Sequence, residues 1–132
     1  MYDWKEEYCI GVEKIDNQHR QLFKIVARIE NIMADGDKER NKAAVAEQIK
    51  YLVNYTVEHF NDEELYQKSI GYSDFLNHHA AHEAFKEEVL EYEKKLEEDN
   101  FNSEDVNNFV NMVKEWLLNH IIRVDQKIKN SN

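Results

Sequence analysis

Four residues separate His59 from Glu63. On an α-helix that spacing is about one turn, so both side chains leave the same face, roughly 6 Å apart along the axis. Upstream, Val45, Ile49, Leu52 and Thr56 fall on that face at helical spacing, which marks it as core-facing. A histidine and a glutamate on such a stripe are costly unless something pairs with them. Any fold this chain adopts must therefore bring partner groups to His59 and Glu63 from elsewhere in the sequence.

The rest of the chain is written for long helices. It holds no proline and only 3 glycines in 132 residues, with 33% charged and 42% hydrophobic side chains. Few breakers and a mixed charged-apolar composition favour amphipathic helices. Residues 1–15 read as an N-terminal arm, because Trp4, Tyr8, Ile10, Val12 and Ile15 are apolar without clean helical spacing. Asp16 is a plausible N-cap for a first helix over about Asn17–Ala34, whose stripe is His19, Leu22, Val26, Ile29 and Met33. Asp35-Gly36-Asp37 stops it, glycine suiting a left-handed cap. A second helix is expected over about Lys38–Lys68, a third over about Asp74–Glu98, and a fourth from a Ser103 or Asn102 cap to about Lys129. Short connections make successive helices antiparallel neighbours. The expected fold is all-α: one domain over 1–132, an arm followed by an up-down-up-down four-helix bundle over 16–129.

Charge and cysteine content narrow the function. The formal net charge is −10, which argues against nucleic acid and against anionic membrane surfaces. Bound divalent cations would offset part of it, although most of these acids form a solvated coat. Met1-Tyr2-Asp3-Trp4-Lys5 leads into charge rather than an apolar run, and no apolar segment approaches membrane-spanning length. Cys9 is the sole cysteine, so no disulfide framework or cysteine metal site is available; it reads as a packing residue of the arm. These features fit a soluble cytoplasmic protein.

The histidines carry the chemistry. Of the 6, His19, His59 and His120 lie on the apolar stripes of their own helices, His120 with Phe109, Val113, Trp116 and Leu117. In the third helix His78 and His82 fall within the stripe of Phe75, Phe85, Val89, Tyr92 and Leu96, whereas His79 sits roughly 80–100° round and is assigned to the surface or to a supporting role. A single inward histidine is usually a hydrogen-bonded core residue. Five from four helices are different: neutral imidazoles cannot all satisfy one another, and five buried imidazolium ions would repel. A metal centre resolves this, since each ring gives one nitrogen to the ion and the other N–H to an acceptor. Asp125 lies five residues after His120. On a regular helix it points about 140° away, and by spacing alone an exposed aspartate is the favoured reading. A π-bulge near Ile121–Asp125 would swing it inward, and such bulges are frequent at functional sites.

The whole pattern — His19, His59-x3-Glu63, His78-x3-His82, His120-x4-Asp125 — resembles the hemerythrin family, specifically its stand-alone bacterial members. The resemblance extends to Trp4, Gly11-Val12, Ile15-Asp16, Phe60, Glu64, Phe85 and Trp116 and covers nearly the whole chain. It implies reversible O2 binding at a non-haem di-iron centre. One iron would take His78, His82 and His120, and the other His19 and His59. Glu63, Asp125 and an oxo or hydroxo group would bridge them, and the resemblance brings Asp125 inward against the spacing argument. With those bridges, two octahedral ions have one position left open, on the iron with two histidines. That is where O2, and other small anions or NO, would bind. From their places beside the ligands, Leu22, Phe60, Trp116 and Leu117 are candidates for an apolar O2 pocket, or else ordinary core.

Three rivals remain. Ferritin-like oxidases or peroxidases use carboxylate-rich sites with Glu-x-x-His motifs, whereas here histidine outnumbers carboxylate five to two. A sensor of O2, NO or iron would have to act through a partner protein. A structural bundle with zinc, or without metal, is the third. None of these readings specifies an oligomeric state.

Overall fold

The computed structural model describes residues 4–35 and 38–121. Its four long helices are α1 (Glu13–Ala34), α2 (Lys38–Ser69), α3 (Phe75–Glu98) and α4 (Ser103–Asn119), preceded by a single 3₁₀ turn at Glu6–Tyr8. α1 packs on α2 and α4, and α3 on the same two helices, which gives the ring of neighbours of an up-down-up-down bundle.

The helix ends follow from local chemistry. Asn102 caps α4: its side-chain oxygen accepts from the Asp105 backbone N–H at 3.0 Å, satisfying a donor that the first turn leaves open. α2 closes with paired bonds, Tyr72 N–H to Gln67 O at 2.9 Å and Gly71 N–H to Lys68 O at 3.2 Å. Gly71 takes φ +62° there, the left-handed cap that glycine adopts without a Cβ penalty. α3 ends in the same way, Phe101 N–H reaching Leu96 O and Asn100 N–H reaching Glu97 O. α1 ends at Ala34 with Asp35 extended; Gly36, the expected cap, lies outside the described residues.

One boundary differs from expectation, and the expected end of α4 near Lys129 lies outside the described residues. α1 begins at Glu13, four residues before Asn17, and Asp16 is not its N-cap. The Asp16 carboxylate instead accepts from the backbone N–H groups of Ile10 at 2.8 Å and Gly11 at 3.2 Å. It serves the arm, not the helix, and folds that arm onto the bundle. Trp4 and Tyr8 then join the main core, while Ile10 and Ile15 pack with Tyr72 beneath the α2–α3 turn. Cys9, expected to pack, is only half-buried, with Arg20 Nη2 3.3 Å from its Sγ.

The core divides along its length. Toward the α1–α2 and α3–α4 turns it is purely apolar, built from Ile29, Val45, Ile49, Leu96, Val106 and Phe109. Toward the arm and the α2–α3 turn the same interior holds His19, His59, Glu63, Gln67, His78, His82 and His120, all buried. Antiparallel order produces this: the groups come from the first turns of α1, the last turns of α2, the first turns of α3 and the end of α4.

Candidate metal centre

Glu63 is the centre of the polar end. It is fully buried, and its two carboxylate oxygens face different groups of histidines. Oε1 lies 2.7 Å from His78 Nε2, 3.3 Å from His82 Nε2 and 3.6 Å from His120 Nε2. Oε2 lies 3.2 Å from His59 Nε2 and 3.5 Å from His19 Nε2. Two donor sets result, Glu63-His78-His82-His120 and His19-His59-Glu63, each with its ligand atoms within 4.8 Å of one another. Burial alone would push the Glu63 carboxyl up, but the ring nitrogens of His120, His19, His59 and His78 around it outweigh that and hold it well below the ordinary carboxylate range.

The structure brings together six of the seven sequence-derived ligand candidates: His19, His59, Glu63, His78, His82 and His120. Asp125 lies outside the described residues. The backbone does widen to a π-helical turn at His120–Ile121, beginning one residue before the Ile121–Asp125 stretch where such a bulge was expected. His79 is half-exposed, and its Nδ1–H donates to Glu64.

Three further residues support the ligands, Glu64 from the resemblance pattern and two glutamines outside it. Glu64 accepts from His82 Nδ1–H at 3.0 Å as well as from His79. Burial raises its carboxyl, the bonds from His82 and His79 lower it further, and the net shift is downward. Gln67, fully buried, places its Nε2 2.7 Å from His78 Nδ1. Gln18 Oε1 accepts from His59 Nδ1–H at 2.8 Å. Gln67 could have been found from spacing, since it continues the His59, Glu63 face by one more turn. Gln18 has no such signal, being simply the neighbour of His19.

The donor set fits metal ions. His78 Nε2 and His82 Nε2 lie 3.0 and 3.1 Å from His120 Nε2, so three ring nitrogens crowd one carboxylate oxygen. Glu64, a carboxylate that can only accept, holds the His82 proton on Nδ1 and turns the Nε2 lone pair inward. Ring nitrogens and a carboxylate oxygen this close together can each give a lone pair to one shared cation. Five imidazoles and a shared carboxylate suit a first-row transition ion such as iron.

The four pocket candidates are placed unevenly. Phe60 stacks on His82, with ring centroids 4.0 Å apart and planes within 5°. Trp116 stacks on His120 at 4.4 Å and on Phe85 at 3.9 Å. Trp116 thus walls the three-histidine group, and Phe60 stands between the two groups, its ring also 6.0 Å from that of His59. Leu22 and Leu117 are buried in the same core cluster. Beside the two-histidine group stands Trp4, whose ring lies 6.2 Å from that of His19.

Fold and site together define a class: a four-helix bundle that aims histidines from every helix at one shared, buried carboxylate. The family model for the hemerythrin HHE cation-binding domain matches residues 10–130, and the chain belongs to the hemerythrin family. A bacteriohemerythrin of Clostridium acetobutylicum is 30% identical over 127 residues, covering 96% of this chain and 98% of that protein. A myohemerythrin of Theromyzon tessulatum is 31% identical over 128 residues, covering 97% and 91%. The crystal structure of a wild-type hemerythrin superposes with a TM-score of 0.83 at 26% identity, over 96% of this chain and 94% of the other. Hemerythrins are oxygen-binding proteins with a non-haem di-iron centre, not enzymes. Among the described residues, no helix is long and apolar enough to cross a membrane.

Proposed function

We propose that this chain binds O2 reversibly at a di-iron centre and acts as an oxygen carrier or store. His78, His82 and His120 would hold one iron, His19 and His59 the other, with Glu63 and Asp125 bridging. The observation that carries this reading is the division of Glu63, one oxygen toward three imidazoles and the other toward two. The unequal split leaves fewer protein ligands on the His19–His59 side, so the small-molecule position belongs there.

When bound, the two ferrous ions supply the two electrons that reversible O2 binding draws on. The protein's own residues supply the rest. Glu64 and Gln18 hold ring protons on the outward nitrogens of His82 and His59. The apolar walls keep bulk water away, which favours release of the gas over irreversible oxidation. Leu22, Phe60, Trp116 and Leu117 are the candidates for the apolar wall of the O2 pocket.

The histidine-rich donor set favours a carrier over an oxidase. Anaerobic loading with ferrous iron, followed by repeated cycles of O2 and argon, tests this by visible absorbance. A colour change that reverses over several cycles supports the carrier. A single irreversible oxidation, or iron binding with no O2-dependent spectrum, rejects it.

A further inference from the structure

The two buried glutamines beside the site differ in one respect. Gln67 offers its N–H to His78 Nδ1 at 2.7 Å, and its Oε1 is buried with no hydrogen-bond donor among the described residues. Nothing there dictates which end of the amide faces the ring. Gln18 is different. Its Nε2 donates to Asp62 Oδ2 at 2.7 Å while its Oε1 accepts from His59 Nδ1–H at 2.8 Å. A carboxylate can only accept, so Asp62 forces the NH2 end of Gln18 toward itself and the oxygen toward His59. The oxygen, in turn, accepts only from a protonated Nδ1. The contact thereby fixes a proton on His59 Nδ1 and leaves Nε2 as the nitrogen that faces Glu63 Oε2, 3.2 Å away.

We infer that Asp62 and Gln18 form a tautomer lock for His59, positioning residues that keep the two-histidine half of the site ready for its metal. The lock crosses helices: Asp62 and His59 belong to α2 and Gln18 to α1, next to His19. One residue of α1 thus supplies a donor while its neighbour orients the other donor of the same half. Asp62 is half-buried, with Lys14 Nζ 3.6 Å from its Oδ2 on the solvent side. This inference rests on the proposed metal site for its purpose, but the tautomer itself can be read without metal.

The test is an exchange of the amide and the carboxylate. D62N gives position 62 a group that can donate, so Gln18 can turn and offer its own N–H to Nδ1. Q18E/D62N restores a pure acceptor toward His59, with the introduced amide donating to it. In metal-free protein, side-chain 15N resonances of His59 should report Nδ1–H in the wild type, loss of that single state in D62N, and its return in the double variant. Q18M should behave as D62N does, and serves if D62N fails to fold. After anaerobic ferrous loading, chelator-driven release of one iron of the two should quicken by about tenfold in D62N and return toward wild type in Q18E/D62N, within the usual range for groups that orient metal ligands. Folded D62N and Q18M proteins that keep His59 as Nδ1–H would overturn the lock. So would a shifted tautomer with unchanged iron release, or a folded double variant that restores neither. A wild type that shows the Nδ1–H state but takes up no iron would instead sink the proposed function and leave the lock standing.

Discussion

At the scale of single residues, Glu63 is the group on which both halves of the site converge. E63Q keeps the volume and removes the charge that two clusters share. Iron content after anaerobic loading should fall from about two ions per chain to less than one, since each half loses the same bridge; elemental analysis reads this directly. Glu64 gives a prediction with a sign. Its carboxyl is lowered in the folded protein, so the stability it contributes is present above the ordinary carboxylate range and is lost as pH falls through its depressed value. Metal-free E64Q should therefore lose less stability than wild type between neutral and acid pH, as read by urea denaturation. An unchanged acid dependence would show that His79 and His82 do not favour the ionised form. Five histidines and Glu63 were legible because core-facing polar residues on helical stripes stand out from their neighbours. Gln18 was not, because an uncharged side chain one position from a ligand has no periodicity to betray it. Asp16 misled for a related reason: its role is set by the backbone of Ile10 and Gly11 behind it, and a cap and a clasp look alike in sequence.

Elements came through more fully. The first three helices and the start of the fourth were expected within a few residues of their observed bounds, since helical spacing of apolar side chains recurs along each; the expected end of the fourth, near Lys129, lies outside the described residues. The Asn102 cap of α4 was legible; what remained hidden were the paired backbone bonds that close α2 and α3. Gly71 at the end of α2 is the sharpest of these. A Cβ there would meet nothing within 4 Å, so the cost of G71A is the left-handed backbone alone, about 1 kcal/mol. Denaturant midpoints measure it. Removing the α4 cap with N102A should cost about 1 kcal/mol as well, with no loss of iron stoichiometry, because that cap lies at the opposite end of the bundle from the histidines.

For the whole molecule, the division of the interior decides how the protein responds to losing its metal. The apolar end is complete without ions, so the metal-free chain should keep its helical circular dichroism. The polar end gathers its ring nitrogens around the proposed ion sites, so chelation should loosen it selectively. Hydrogen exchange should quicken around residues 59–67 and 78–82 while amides near Leu96 and Phe109 stay protected. Melting temperature should drop, with a stability difference of roughly 2.7 kcal/mol when free ferrous ion stands at a hundredfold excess over its dissociation constant. Uniform exchange across both ends would contradict the division.

The chain's 2 tryptophans happen to sit one beside each group of histidines, Trp4 near His19 and Trp116 face to face with His120. Each indole is therefore a natural fluorophore assigned to one half of the centre. Iron arriving beside Trp116 should quench its emission, and iron arriving beside Trp4 should quench the other. In W4F only the three-histidine half remains visible, and in W116F only the two-histidine half. Titrating the two variants would reveal the order in which the ions enter, a quantity that colour alone averages away.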